Sequence, residues 1–236
     1  ETLIIGVSGG IDSAVTSTLC ALTGLKVIAI NMPIHQDEVL DSRSDLHLNW
    51  LLSNYDNVES KKIDLTSSFD MFCCAFSEED KDDLSLANSR ARLRMMALYQ
   101  IASANGGIVV GTGNKVEDFG VGFYTKYGDG GVDISPIANL MKTEVGELAK
   151  ELGIIQEIID APPTDGLWND GRTDEEQLGA SYAEIEKAML YAEENNLEDF
   201  YPTGDERFDS ILNTYFYHRN KNLHKMNPIP VFVQGL

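Results

Sequence analysis

The chain has 236 residues, 43% of them hydrophobic, and its 38 acidic against 18 basic side chains leave a formal net charge of −20. That length supplies one sizeable core and predicts a single domain over 1–236, while the charge argues against nucleic-acid phosphates and anionic membranes as partners. No run reaches the ~18 apolar residues of a membrane span, and three cysteines without a CxxC pair, Cys20, Cys73 and Cys74, read as core thiols in a reducing, cytoplasmic compartment.

The chain opens at Glu1 directly before a strand, Leu3–Val7, so an N-terminal segment is expected ahead of it. A helix follows from about Asp12 to Thr23, stopped by Gly24, and then a strand over Lys26–Asn31. Its Val27-Ile28-Ala29-Ile30 is apolar throughout, the pattern of a strand covered on both faces. Next come a helix around Val39–Ser53 with Leu40, Leu48, Leu51 and Leu52 as core candidates, and a strand near Val58–Ile63. A long helix over Asp82–Asn105 ends at Gly106-Gly107 and leads into a strand at Ile108–Gly111. This alternation predicts an α/β fold, a doubly wound parallel sheet flanked by helices. Loops dominate from Gly111 to Asp133, helices return at Lys142–Leu152 and Ser181–Asn195, and Asp160–Glu175 is a candidate lid. In the last helix, Asp205–Lys221, Phe208, Ile211, Leu212, Tyr215 and Phe216 form one stripe, for the core or a dimer contact.

The strongest chemical signal joins the first strand to the first helix: Gly6-Val7-Ser8-Gly9-Gly10-Ile11-Asp12-Ser13. A loop in this position offers backbone N–H groups, hydroxyls and the positive helix end to an anion, and its two glycines let the backbone approach phosphate oxygens. Asp12 is out of place beside phosphates unless a cation lies between them, which makes it a candidate Mg2+ ligand. The alternative is an ordinary helix cap built from Ser and Asp. The spacing is not that of a Walker A loop.

This loop resembles the PP-loop of the ATP pyrophosphatase family, which splits ATP between the α and β phosphates. Four further segments resemble the ammonia-dependent NAD+ synthetases within it: Asn88–Met95, Gly111–Glu117, Thr125–Asp133 and His224-Lys225. The resemblance implies that Gly6 to Ser13, Thr112, Lys142 and Thr164 bind ATP. By the same resemblance Asp12 and Glu117 hold Mg2+, and Arg92, Lys126, Asp133, His224 and Lys225 contact deamido-NAD+. From Glu117 to Lys126 the chain is one residue longer than the family pattern. The loop Met32–Asp37, where relatives often carry an arginine on adenine, has none here, and Gln36 is the residue that could serve. His35, His47 and His218 show no metal-ligand spacing and read as structural.

The implied reaction is amidation. A nicotinate carboxylate resists direct attack by ammonia, so ATP first adenylates it, pyrophosphate departs into the loop, and ammonia displaces AMP. Lys142 would add fixed positive charge, and Asp133 would position or deprotonate the ammonium. At 236 residues there is no room for a glutaminase domain, so ammonia is the expected nitrogen donor, and the resemblance implies a homodimer. Two rival readings are an RNA-modifying PP-loop enzyme (tRNA thiolation or lysidine synthesis), which would need basic patches, and a nucleotide sensor, which would not need metal-holding carboxylates in two motifs.

Overall fold

The structure is a computed structural model and describes residues 1–36, 38–162, 175 and 178–232. Four parallel strands, β1 (Thr2–Gly6), β2 (Lys26–Asn31), β3 (Val58–Lys62) and β4 (Gly107–Val110), stand in the order β3-β2-β1-β4. Helices α1 (Ile11–Leu22), α2 (Glu38–Asn54), α3 (Thr66–Cys73) and α4 (Asp83–Asn105) link them. Alternation along the strands divides the core. Leu3, Ile5, Val27 and Ala29 pack on Cys20, Ala21, Leu48 and Leu51 of α1 and α2. Ile4, Ile28, Ile30 and Val109 pack on Phe69, Met95 and Leu98 of α3 and α4. Both faces are covered, as the unbroken apolar run in β2 requires, and the predicted doubly wound sheet is present.

Past the sheet, α5 (Lys142–Glu151) and α6 (Gln156–Ile159) pack Val145, Ala149 and Ile158 against Ala14 and Val15 of α1. Helices α7 (Tyr182–Glu194) and α8 (Glu206–Met226) form a separate cluster with a seven-residue π-helix, Lys115–Val121. The predicted stripe of the last helix lies in this cluster, with Leu212, Tyr215 and Phe216 buried and Phe208 and Ile211 packed beside them. Helix α8 runs on to Met226, so His224 and Lys225 occupy its last turn.

Three expectations change. Leu52 is 42% exposed because the phase of α2 turns Ser44, His47, Leu48 and Leu51 inward instead. Only Cys20 is a core thiol; Cys73 is partly buried and Cys74 exposed at the end of the short α3, which the sequence reading passed over. The stretch after Gly111 is not all loop, since it contains the π-helix, started by Asn114, whose side chain accepts from Val116 N and Glu117 N at 3.0 Å each. A π turn holds one residue more than an α turn, and this π-helix overlaps the start of the Glu117–Lys126 stretch, where the sequence leads us to expect one residue more than the family pattern. No described helix is long and apolar enough to cross a membrane.

Candidate active site

The sheet order reverses between β1 and β4, and the crevice at the carboxyl ends of those strands is where such sheets take ligands. Both flanking loops open there. After β1, Gly9 adopts φ +85°, and a Cβ on it would stand 2.7 Å from Leu40 O and 2.9 Å from Ser44 N, so only glycine lets the loop lie against α2. Ser13 Oγ braces the turn, accepting from Ser8 N at 3.2 Å and donating to Gly10 O at 2.9 Å. No side chain caps α1 at Gly10, so the capping alternative for Asp12 does not hold. Its carboxylate instead accepts from Asn114 Nδ2 at 3.2 Å and from Lys142 Nζ.

Lys142, the first residue of α5, bridges the first turn of α1 and the π-helix. Its ammonium donates to Asp12 Oδ2 and, at 3.0 Å, to Glu117 Oε1, which also accepts from the Tyr182 hydroxyl at 2.6 Å. All three charged side chains are less than a fifth exposed. Burial works against the Lys142 charge, yet the fields of Asp12 and Glu117 and its hydrogen bonds to both raise its pKa above the ordinary lysine value. Burial would also raise Glu117, but Lys142 and the Tyr182 hydroxyl hold its carboxyl below the usual range. Asp12 is raised, chiefly by burial and in part by the nearby Glu117 charge.

Among the described residues no group of three or more His, Cys, Asp or Glu side chains is placed to hold a metal ion by itself. The donor set nonetheless fits Mg2+. Asp12 and Glu117 offer hard oxygens that already converge on a single cation, and phosphate and water oxygens would fill out an octahedral shell.

A cavity of about 290 Å3 lies over the crevice. Of the residues predicted for ATP, Gly6, Val7, Ser8, Gly10, Ile11, Asp12, Ser13, Thr112 and Lys142 line it, as do Glu117 and Gln36. Gly9 lies instead against α2, and Thr164 and most of the candidate lid fall outside the described residues. Five further charged residues line the cavity that the sequence reading did not assign: Asp41, Arg43, Arg94, Asp118 and Asp129. Arg94 donates to Met32 O and Gln36 Oε1 at 3.0 Å each, and burial lowers its pKa to about 10. Asp118 is raised to about 8 by burial and by the charges of Asp129, Glu117 and Asp12. The one available signal was helical phase: Arg94 lies four residues after Arg90 on the face opposite Asn88 and Arg92.

The residues expected on deamido-NAD+ gather outside this cavity. Arg92 Nε donates to Lys126 O at 3.2 Å, and Lys126 Nζ donates to His224 O at 2.8 Å. Lys225 Nζ donates to Gly122 O at 2.9 Å and Tyr124 O at 2.7 Å. Arg92 and His224 are exposed, while Lys225 is partly buried, which lowers its pKa despite Asp129. Asp133 stands apart from these four. Its carboxylate accepts from Val109 N at 2.7 Å and from the Tyr99 hydroxyl at 3.0 Å, which fixes the loop beside β4.

Residues 1–228 match the family described as NAD synthase. The chain is 38% identical to the NH(3)-dependent NAD(+) synthetase of Methanosarcina acetivorans over 96% of its own length and 89% of the relative's. The corresponding enzyme of Archaeoglobus fulgidus is 35% identical over 96% and 87%. Among solved structures, the NMN synthetase of Francisella tularensis superposes with a TM-score of 0.79 at 31% identity, covering 97% of this chain and 88% of that one. The NH3-dependent NAD synthetase of Campylobacter jejuni gives 0.74 at 30% identity, covering 99% and 90%. By sequence and fold, this chain belongs to the NAD synthase family.

Proposed function

We propose that the chain is an ATP-dependent, ammonia-using NAD+ synthetase that converts deamido-NAD+ to NAD+ with release of AMP and pyrophosphate. The family match and the NH(3)-dependent relatives support the overall reaction. The observation that carries the chemistry is the single ion cluster of Asp12, Glu117 and Lys142 at the mouth of the Ser8–Ser13 loop. RNA modification finds no support in this family assignment.

In this reading the loop's N–H groups and the Ser8 hydroxyl receive the β and γ phosphates, Ser13 holds the turn through Gly10 O, and Gly6, Val7, Ile11 and Thr112 form the walls around the nucleotide. Asp12 and Glu117 are the residues that would hold Mg2+, which when bound neutralises charge growing on the phosphates. A nicotinate oxygen attacks the α phosphorus, the bond to the bridging oxygen breaks, and pyrophosphate leaves into the loop. Ammonia then adds to the carbonyl carbon and AMP departs, with one proton from the nitrogen lost on the way. Lys142 supplies fixed charge as the negative charge shifts. Arg92, Lys126, His224 and Lys225 are assigned to the deamido-NAD+ phosphates and sugars. Asp133 is assigned to positioning or deprotonating the ammonium, from a carboxylate already held by Val109 and Tyr99. A homodimer and a reducing, cytoplasmic setting belong to this reading, the first taken from the family resemblance and the second from three free cysteines.

The test is pyrophosphate release with ATP, comparing ammonium with glutamine, deamido-NAD+ with nicotinic acid mononucleotide, and wild type with Asp133→Asn. The mononucleotide arm is included because of the likeness to the Francisella protein. Release is expected with deamido-NAD+ and ammonium. Failure there overturns the reading, preference for the mononucleotide changes the substrate, and unchanged ammonium saturation in Asp133→Asn removes that residue's role.

A further inference from the structure

Helix α2 backs directly onto the phosphate loop. Gly9 lies so close to it that an added Cβ would be 3.2 Å from Arg43 Cβ, and the next residue, Ser44, donates its hydroxyl to Val7 O at 2.7 Å. Arg43 is thereby fixed beside the loop, and its side chain lines the same cavity as Ser8, Gly10 and Asp12. Its Nε is buried without a hydrogen-bond partner. A buried N–H of a permanent cation is costly to leave unpaired, so its position calls for an acceptor that the protein's own described residues do not supply.

The other cations of the cavity are already engaged. Lys142 is bonded to Asp12 and Glu117, and Arg94 to Met32 O and Gln36. In a chain of net charge −20, with Asp41 also lining this cavity, an arginine with no carboxylate partner among the described residues is out of keeping with its surroundings. Asp41 spends its two oxygens on Asn31 and Lys62 instead, at 2.7 and 2.8 Å. The sheet order adds the remaining constraint. Since β2 and β4 flank β1 on opposite sides, Arg43, following β2, and Lys142, following the β4 loops, approach the loop from opposite flanks.

We propose that Arg43 is a further substrate contact, donating its Nε–H and a terminal N–H to the phosphoryl oxygens that leave as pyrophosphate. Guanidinium matches phosphate in a two-pronged geometry that an ammonium cannot reproduce. The assignment rests on the reading of Ser8–Ser13 as the phosphate loop. It places one cation on each flank: Lys142 with the two carboxylates, and Arg43 on the side of the departing group.

Calorimetric titration in magnesium buffer tests this with three probes, ATP, inorganic pyrophosphate and AMP, on wild type, Arg43→Met and Arg43→Lys. Arg43→Met is expected to weaken ATP and pyrophosphate at least tenfold, leave AMP within twofold and keep the wild-type melting temperature, with Arg43→Lys recovering part of the loss. In steady state the KM for ATP rises and that for deamido-NAD+ does not. Pyrophosphate affinity unchanged in Arg43→Met overturns the proposal, as does AMP weakening in step with ATP, which would move Arg43 to the nucleoside. Should wild type itself bind no pyrophosphate, the phosphate-loop reading falls, and that result is distinct from a failure of Arg43 alone.

Discussion

The proposed phosphate side of the molecule, around Asp12, Glu117 and Lys142, and the side that carries Arg92, Lys126 and Lys225 hold their cations by different means. On the phosphate side Lys142 is bonded to two carboxylates, so the trio carries a net negative charge before any ligand arrives. A polyphosphate alone is repelled there, and one arriving with a divalent cation is not. On the other side the partners of Arg92, Lys126 and Lys225 are backbone carbonyls. Neutral acceptors orient these cations and leave their charge undiminished for an anion. In the proposed reading, one region would take a metal–phosphate unit and the other bare anionic groups.

Removing the shared cation breaks that contrast most severely. Lys142→Met leaves Asp12 and Glu117 facing each other without their common partner, and the loss of one fixed charge at a reacting phosphoryl group costs on the order of 10²–10³ in kcat. Single-turnover measurement should find the loss in adenylation, with deamido-NAD+ binding kept. A fall in deamido-NAD+ affinity of similar size would mean that the two regions are not separable.

The second effect concerns how the phosphate side is supported. His47 of α2 lies fully buried between that helix and α1, its Nε2 2.9 Å from Ser17 Oγ and its ring stacked on Trp50 at 5.5 Å. Burial lowers its pKa from 6.5 to about 4. The folded protein therefore keeps it neutral, while the unfolded chain takes up a proton as pH falls below 6.5. Stability contributed by neutral His47 is complete above that pH and is lost as pH falls toward 4, by about 3 kcal/mol for a shift of this size. Urea unfolding followed by tryptophan fluorescence across this window should show the decline, and His47→Gln should flatten it. An equal slope in the variant would assign the acid sensitivity elsewhere, including to His218 of α8, which burial also lowers.

The two regions also differed in how far the sequence disclosed them. The β1 loop could be read because strand, glycines and helix start are contiguous, and a buried strand shows itself as an apolar run. The other region depends on juxtapositions across long separations: Lys225 with Tyr124, Lys126 with His224, and on the phosphate side Asp12 with Lys142, 130 residues apart. Resemblance supplied these residues by name, but not what they touch. Arg43 and Arg94 were missed because a charged residue on a helix looks solvated until the neighbouring layer is in place, and Asp118 because its stretch read as loop where the structure has a π-helix. Leu52 was misplaced for the converse reason. Leucine identity outweighed helical phase, and the phase turned the polar His47 inward.

The smallest effect sharpens the contrast from the other side. Lys225 sits in the last turn of α8, where its ammonium closes the π-helix turn by bonding Gly122 O and Tyr124 O and lies 5.4 Å from the Tyr124 ring centroid. A carbonyl-held lysine that serves an anionic dinucleotide adds binding in ground and transition states alike, so its loss should appear in KM and not in kcat. Lys225→Met is expected to raise the KM for deamido-NAD+ about tenfold, or ~1.4 kcal/mol, with the KM for ATP unchanged. Lys225→Arg, which can still reach both carbonyls, should recover most of it. The salt dependence separates the regions further. A partly buried cation held by neutral carbonyls loses more of its contribution as ionic strength rises than the more deeply buried Lys142 trio, which is screened less. The KM for deamido-NAD+ should therefore climb with salt in wild type and climb less in Lys225→Met, while kcat holds in both. Equal salt slopes would show that Lys225 fixes the π-helix turn and does not meet the substrate's charge.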